Sequence, residues 1–143
     1  MTHLHDIETL ITASATLTRI AALETGNETP AAQWRTLALL RDHGPLRVGE
    51  LATASRVSQP GMTRLLGQMV DAGLVEREQD AADSRVSIVS ATTAGLEALD
   101  AWRAQLTAAL APHFADLDER EWQALELTAS ILRRKTAVAE VAR

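Results

Sequence analysis

Apolar residues recur every three or four positions near both ends of the chain, a spacing that predicts amphipathic helices. The first predicted helix covers Leu4 to Leu23 and is ended by Thr25-Gly-Asn-Glu. The second is expected to begin with Thr29 as N-cap and Pro30 in the first helical position, and to end at His43-Gly44-Pro45. The buried face of this second helix is expected to consist of Trp34, Leu37 and Leu40.

Two shorter helices joined by a turn are predicted next. Val48 to Ala54 gives a two-turn helix with Leu51 and Ala52 facing inward, and Arg56-Val57 forms the turn. The second helix has a capping serine and a proline in its first turn, and it runs from Ser58 to Asp71. The apolar side chains that it directs to the core are expected to be Met62, Leu65, Leu66 and Met69.

The helical period then gives way to alternation, which predicts two short strands. These are Leu74 to Glu78 and Arg85 to Ser90, and the polar residues 79–84 form the turn between them. The two strands are therefore expected to pair as a β-hairpin.

Two further helices complete the predicted order of elements. One follows Thr92-Thr93 and lasts until Pro112. The other follows Asp118-Glu119-Arg120-Glu121, which resembles a capping box with aspartate in the serine position. Their apolar stripes consist of Leu96, Leu99, Trp102, Leu106 and Leu110 in the first helix and of Trp122, Leu125, Ala129 and Leu132 in the second.

This order predicts a mainly α-helical chain with a small β-hairpin wing. Residues 29–92 are expected to form a winged helix-turn-helix lobe, and residues 1–28 and 93–143 a helical dimerisation region. The terminal helices carry more apolar surface than a small central lobe can cover. We therefore expect a homodimer.

Composition narrows the class of protein. The chain has 143 residues, no cysteine and a net charge of −5. Without cysteine, no disulfide scaffold, thiol nucleophile or thiolate zinc site is available. No segment is apolar over the roughly 18 residues of a membrane span, and the N-terminus does not resemble a secretory signal, so a cytoplasmic protein without a membrane partner is expected. Of the 14 cationic residues only Lys135 is a lysine, a bias to which we assign no function.

The sequence predicts neither an enzyme nor a metalloprotein. It contains no nucleophile elbow, phosphate-binding loop, zinc-protease motif or dinucleotide-binding glycine pattern. His3 and His5 with Asp6 offer metal-binding atoms, but His43 and His113 lie far from them in sequence. No catalytic residue, metal ligand or cofactor is therefore assigned, and a metal-sensing role is a minor alternative.

The central segment resembles the MarR family of winged helix-turn-helix transcriptional regulators. The resemblance rests on Val48-Gly-Glu-Leu-Ala52, on the segment from Val57 to Leu66, on Ala72-Gly-Leu-Val-Glu-Arg77, and on Asp80-Ala-Ala-Asp83-Ser84-Arg85 followed by Thr92-Thr-Ala-Gly95. It covers about residues 29–96, and the flanks match by helix count and placement. The resemblance implies a dimer that binds double-stranded DNA at a near-palindromic site.

The exposed face of the second motif helix is the candidate for contacts with DNA bases. If its apolar side chains face the core, six residues point outward: Ser58, Gln59, Gly61, Thr63, Arg64 and Gln68. Gln59 suits adenine and Arg64 suits guanine, because each side chain can form two hydrogen bonds to that base. Ser58 and Thr63 suit phosphate at a helix N-terminus, and Gly61 allows a close approach of the backbone. The alternative is a merely solvated helix face.

The wing supplies two further candidates. By family resemblance Arg85 enters or flanks the minor groove, and Asp83 orients it. The alternative is that Asp83 and Arg85 form only a surface ion pair that stiffens the turn. Residues 44–75 carry a net charge of +1, so this segment is basic relative to the whole chain.

The resemblance also implies a possible site for a small aromatic or phenolic effector that releases DNA. Arg19, Trp34 and Trp102 are the candidates, because arginine suits a carboxylate and tryptophan stacks on a ring. The alternatives are that the two tryptophans belong to the core and that Arg19 forms an ion pair between subunits.

The sequence thus predicts a DNA-binding transcriptional regulator, with repression as the default of the family it resembles. The alternative is a dimeric winged-helix module that binds other proteins and has no specific DNA site. Loss of DNA binding on substitution of Arg64 and Arg85 distinguishes the two.

Overall fold

The computed structural model describes residues 3–141. It contains six helices and three short strands within that range. In chain order they are α1 (His3–Thr25), α2 (Ala31–His43), β1 (Leu46–Arg47), α3 (Val48–Ser55), α4 (Gln59–Asp71), β2 (Val75–Gln79), β3 (Ser87–Ala91), α5 (Thr93–Leu110), a short 3-10 helix (Ala111–Phe114) and α6 (Glu119–Val141). The chain divides into two compact units, one up to Ala109 and one from Leu110 onward. The mainly helical fold with a hairpin wing is as predicted.

The start of α2 differs from the prediction. Thr29 is not the N-cap: its N–H donates to Asn27 Oδ1 at 2.9 Å, which holds it in a turn before the helix. Pro30 occupies the N-cap with an extended backbone (φ −58°, ψ 136°), and its carbonyl accepts from Gln33 N at 3.0 Å. The first helical residue is therefore Ala31, one position later than expected.

Helices α3 and α4 form the predicted helix-turn-helix. Arg56 ends α3 in the left-handed conformation (φ 55°, ψ 42°), which turns the chain sharply. Ser58 then caps α4, because its Oγ accepts from Gly61 N at 3.1 Å. Along α4, Met62, Leu66 and Met69 are completely buried, as predicted. The opposite face of α4 is consequently left for solvent.

The sheet has a strand that the sequence analysis missed. Strand β1 has only two residues, too few to show alternation, and it pairs antiparallel with β3 through Leu46↔Val89. Strands β2 and β3 form the wing hairpin, with Arg77 opposite Val89. The order β1-β3-β2 places the wing beside the start of α3.

The wing strands also begin later than predicted. Leu74 precedes β2, and β3 begins at Ser87 rather than at Arg85. Asp83 Oδ1 accepts from the backbone N–H of Arg85 at 3.0 Å, which keeps this part of the chain in a turn. The hairpin loop is closed by Asp80 N donating to Val86 O at 2.8 Å. Arg85 thereby lies in the loop, outside the strand ladder.

The core of the first unit lies between α2, α3, α4, the sheet and α5. It includes the predicted Trp34, Leu37, Leu40, Leu51, Ala52, Met62, Leu66 and Met69, together with Val75, Val89 and Leu99. Two contacts tie α2 to α5 at the edge of this core. The rings of Trp34 and Trp102 stack with centroids 4.9 Å apart, and Arg41 Nη1 donates to Asp100 Oδ1 at 2.7 Å.

The start of α5 is joined tightly to the turn after α4. Thr92 N donates to Leu74 O at 3.0 Å, and Thr92 Oγ1 donates to Gly73 O at 2.6 Å. The same hydroxyl caps α5 by accepting from Gly95 N at 2.9 Å. A Cβ at Gly95 would lie 2.1 Å from Leu74 O, so that only glycine fits here without movement.

The second unit consists of the 3-10 helix and α6. The predicted capping box is present: Glu121 N donates to Asp118 Oδ1 at 2.8 Å, and Asp118 N donates to Glu121 Oε2 at 2.9 Å. Phe114 and Trp122 contact each other with ring centroids 6.4 Å apart. The predicted apolar face of α6, which includes Trp122, Leu125 and Leu132, is exposed in the single chain.

Replacing Gly95 by alanine tests the joint between α5 and the α4–β2 turn. Because the new methyl group would overlap a backbone carbonyl, Gly95→Ala should lower the free energy of unfolding by about 1–3 kcal/mol. Gly67→Ala is the matched control, since a methyl group at this position of α4 would have no neighbouring side chain or element within 4 Å. That control should stabilise the protein by up to about 1 kcal/mol. Chemical denaturation followed by circular dichroism measures both, and equal stability of the two variants would contradict the packing argument.

Candidate nucleic-acid interface

The outer face of α4 presents polar side chains to solvent. Of the six residues predicted to point outward, five are exposed: Ser58, Gln59, Thr63, Arg64 and Gln68. Gly61 differs from the prediction, because it is half-buried and a Cβ there would lie 3.0 Å from Ser58 Oγ and 3.1 Å from Val57 Cγ1. Gly61 therefore belongs to the packing of the helix cap, with its N–H satisfied by Ser58.

Arg64 is the cation of this face. Within residues 3–141 it forms no ion pair, and the whole guanidinium group is available to a ligand. It lies two residues after the fully buried Met62, on the opposite side of the helix. An exposed arginine on the solvent-facing side of a helix has the chemistry needed for a bidentate contact with guanine.

The wing loop holds Arg85 by two contacts with one carboxylate. Arg85 Nε donates to Asp83 Oδ1 at 3.1 Å and Arg85 Nη2 donates to Asp83 Oδ2 at 3.2 Å. The side chain of Arg85 is nonetheless 89% exposed, so the pair orients the guanidinium without covering it. These hydrogen bonds, from the side chain first and the backbone second, hold the pKa of Asp83 below its ordinary value of 3.8.

A groove with a volume of about 530 Å³ separates α4 from the wing. Gln59 and Thr63, one helical turn apart, line the α4 side, and Arg77 and Arg85 line the wing side. Its third side is formed by Arg47 of β1 and by the start of α3 with Glu50. The groove thus brings together residues of β1, α3, α4 and the wing, and three of its ten lining residues are arginines.

Sequence analysis missed Arg47 and Arg77 as candidate binding residues. Arg77 has a detectable signal, because it lies two residues after the buried Val75 and therefore shares the face of β2 that points to the helices. Arg47 has no such sequence signal, because its position depends on β1, a strand that the sequence analysis did not predict. Its Nη2 donates to Asp80 Oδ2 at 3.3 Å, an ion pair that connects β1 to the wing loop.

Charge is distributed unequally along the chain. Residues 29–92 contain seven arginines and seven carboxylates, so the predicted lobe has no net charge. The remaining residues therefore carry the whole net charge of −5. Within the lobe, three of the seven arginines line the groove and a fourth, Arg64, lies on the exposed face of α4. The lobe as a whole is thus less unfavourable for a polyanion than the rest of the chain.

Two of the three candidate effector residues contact each other. Trp34 and Trp102 stack on each other, and Trp34 belongs to the buried core. The Nε1–H of Trp34 is buried and has no hydrogen-bond acceptor among the described residues. Arg19 is exposed on α1, where its guanidinium donates to Thr16 Oγ1 of the same helix at 3.2 Å.

Metal sites and membrane spans are both absent from the described part of the chain. Residues 3–141 contain no group of three or more histidine, cysteine, aspartate or glutamate side chains placed to hold a metal ion. No helix in the same range has the length and apolar character needed to cross a membrane.

Comparison with known proteins identifies the family. The family model described as MarR family matches residues 30–87. An uncharacterized HTH-type transcriptional regulator of Mycobacterium bovis is 32% identical over 100 residues, which are 70% of each chain. The chain belongs to the MarR family. Transcriptional regulators of this family are DNA-binding winged-helix proteins and, as a class, are not enzymes.

Other known proteins resemble this chain over different lengths. The HTH-type transcriptional repressor NicR of Pseudomonas putida is 38% identical over 69 residues, 48% of this chain and 44% of NicR. A crystal structure of mutant MarR from E. coli superposes with a TM-score of 0.72 at 22% identity, covering 92% of this chain and 97% of that one. This structural likeness confirms the winged-helix fold.

The ion pair between Asp83 and Arg85 predicts how the ionisation of Asp83 depends on pH. Because Arg85 stabilises the charged form of Asp83, the contribution of the pair to stability should be present above pH 3.8 and should be lost as the pH falls through the lowered pKa of Asp83. Titration of the Asp83 carboxyl carbon by NMR should give a midpoint below 3.8. Arg85→Gln should raise this midpoint, whereas Arg77→Gln, which removes a neighbouring arginine not bonded to Asp83, should leave it unchanged. An unchanged titration midpoint of Asp83 in the Arg85→Gln variant would contradict the pairing.

Proposed function

We propose that the protein is a cytoplasmic homodimeric repressor that binds a near-palindromic DNA operator. The observation that carries the proposal is the exposed polar face of α4. Gln59 and Thr63 of this helix line a groove whose other side includes Arg85 of the wing, and the neighbouring Arg64 is exposed. In a winged helix of this kind, α4 is the element with the size and exposure to enter a major groove, which admits one α-helix.

The residues of α4 divide by the part of DNA that they suit. Arg64 and Gln59 are proposed to read guanine and adenine, and Gln68 extends the same exposed face. Ser58 and Thr63 are proposed to bind phosphate: the hydroxyl hydrogen of Ser58 remains available while its oxygen caps the helix. Gly61 is proposed to contribute to DNA binding through the helix cap and through its backbone, because it is not exposed on the outer face of α4.

The wing is proposed to place Arg85 in or beside the minor groove. Asp83 fixes the direction of the guanidinium through two hydrogen bonds, so less side-chain freedom is lost when Arg85 binds. A narrow minor groove has an enhanced negative potential that attracts arginine. Asp83 is thus a positioning residue for Arg85.

Dimerisation is proposed to use residues 1–28 and 93–143. Large apolar side chains of α1 and α6 are exposed in the single chain: Ile7 is 53% exposed, Ile11 63% and Trp122 45%. Apolar faces of this extent on helices favour burial against a second copy. A two-fold axis would then set the two α4 helices about 34 Å apart, one turn of DNA.

Repression and release by an effector complete the proposal. The related NicR is a repressor by name, which supports this sign of regulation. An aromatic effector near Trp34 and Trp102 is supported by the buried Trp34 Nε1–H, which a ligand acceptor would satisfy. Arg19 is proposed to bind a carboxylate of the effector. Such a ligand shifts the equilibrium only by its different affinity for the DNA-binding and non-binding forms.

Selection of DNA by the purified protein tests this function. Genomic fragments, including the region upstream of its own coding sequence, are enriched on immobilised protein and sequenced. The expected result is a near-palindrome bound by two chains per duplex, with scrambled duplexes bound far more weakly. Enrichment of no sequence would instead favour a winged-helix module that binds other proteins.

Arg64→Ala tests the role of α4 in reading bases. If Arg64 contacts guanine, the variant should lose about 1–3 kcal/mol of binding free energy on the selected site and relax its preference at one base pair per half-site. Fluorescence anisotropy on a set of duplexes with single base-pair changes measures this. Equal loss on every duplex would show that Arg64 binds phosphate and does not read sequence.

A further inference from the structure

The wing loop is joined to the far edge of the sheet by one ion pair. In the order β1-β3-β2, β1 and β2 are the two outer strands and do not pair with each other. Arg47 is the last residue of β1, and Asp80 directly follows β2. The side chain of Arg47 reaches past the start of β3, and its Nη2 donates to Asp80 Oδ2 at 3.3 Å. The pair therefore connects the two edges of the sheet at the end that carries the loop.

Asp80 organises the loop that follows β2. Its other carboxylate oxygen, Oδ1, accepts from Ala82 N at 2.7 Å, and its backbone N–H donates to Val86 O at 2.8 Å. The side chain of Asp80 is only 13% exposed, whereas most aspartates are well exposed. Burying a carboxylate is costly unless it is paired and hydrogen-bonded. Arg47 supplies the partner, and the loop is thereby tied to β1.

The same loop carries the residue that is proposed to meet the minor groove. Val86 N donates to Asp83 O at 3.0 Å, and Asp83 holds the guanidinium of Arg85 through both of its carboxylate oxygens. A displacement of the loop would therefore move Arg85 with it. At the other end of the ion pair, Arg47 is followed directly by Val48, the first residue of α3. Contacts thus run without a break from the start of α3 to Arg85.

We propose that the Arg47–Asp80 pair is a tether that fixes the wing loop relative to the helix-turn-helix, and that Asp80 thereby positions Arg85 for the minor groove. Asp80 is a positioning residue and does not itself touch DNA. The proposal rests on the proposed function, in which Arg85 binds DNA, and deepens it. Its physical content is that a carboxylate, although it repels phosphate, increases the affinity for DNA because it restricts the loop before binding.

Asp80→Asn separates the tether from the fold of the loop. The amide oxygen of asparagine can still accept from Ala82 N, whereas its NH2 group is a donor and cannot accept from Arg47. Because the substitution removes a negative charge, electrostatics alone predicts tighter binding to DNA. The tether predicts the opposite sign, with binding to the selected duplex weakened about twofold to fivefold, as expected for a partly exposed ion pair. Fluorescence anisotropy on the full-length protein at one fixed salt concentration measures the change.

Glu78→Gln is the matched control for charge. Glu78 lies on β2, is exposed and forms no ion pair with any residue in 3–141. Loss of its charge should leave the affinity for DNA unchanged or raise it. Asp80→Glu keeps a carboxylate for Arg47 and should recover most of the affinity that Asp80→Asn loses. Thermal melts confirm that each variant is folded.

Combination with Arg85→Ala identifies the residue through which Asp80 acts. If Asp80 positions Arg85, Asp80→Asn should cost no further affinity once Arg85 has been replaced by alanine. A general loosening of the fold would instead weaken binding in both backgrounds.

The motion of the loop is measured without DNA. Backbone NMR order parameters of Ala82, Arg85 and Val86 report motion on the picosecond to nanosecond timescale. They should be lower in Asp80→Asn than in the wild type, and should be unchanged in Glu78→Gln.

The outcomes separate this proposal from the proposed function. If the wild-type protein binds its selected duplex but Asp80→Asn behaves like Glu78→Gln, the tether is wrong while the regulator function stands. If Asp80→Asn weakens binding equally with and without Arg85, Asp80 does not position Arg85. A wild-type protein that binds no duplex overturns the proposed function and the positioning role, and unchanged order parameters in Asp80→Asn overturn the tether itself.

Discussion

The arrangement of the proposed DNA-binding surface depends on the joint between α5 and the turn that follows α4. Thr92 contributes its N–H and its hydroxyl to this joint, and the hydroxyl also caps α5. Gly95 lets the first turn of α5 approach the carbonyl of Leu74 more closely than any side chain would permit. Because α4 ends and β2 begins at this turn, one joint fixes α4, the wing and α5 relative to one another. The stacked tryptophans and the Arg41–Asp100 pair secure α2 to the same helix.

The helices and the helix-turn-helix were predictable because their signals are local. Ser58 and Pro60 mark the start of α4, its buried residues repeat with the helical period, and Ala72-Gly73 ends it. The Asp118 capping box is equally local. The errors have local causes as well. Thr29 is bound in a turn by Asn27, and Asp83 keeps Arg85 out of the strand. In each case a short polar side chain competes for a backbone N–H.

The groove could not be predicted in the same way. It requires the two-residue strand β1, which shows no alternation, and the order β1-β3-β2, which brings the start of α3 beside the wing. Arg77 could have been predicted from the alternation of side chains that begins at Val75. Arg47 entered the sequence analysis only as one of the charges counted over residues 44–75. Gly61 is the opposite case. Its helical spacing predicts that it points away from the core, but the side chains of Val57 and Ser58 at the start of the helix lie against it.

The use of arginine in place of lysine has a consequence for how such a surface can be controlled. Residues 29–92 contain no lysine, so acetylation has no target on the lobe, and guanidinium groups do not titrate under physiological conditions. The carboxylate that orients Arg85 also stays ionised well below neutral pH. The charges of these arginines and of this carboxylate are therefore constant at physiological pH. A signal that changes the affinity of the surface cannot act by acetylating the lobe or by titrating these groups, whereas a change in the distance or angle between the elements that carry them remains available.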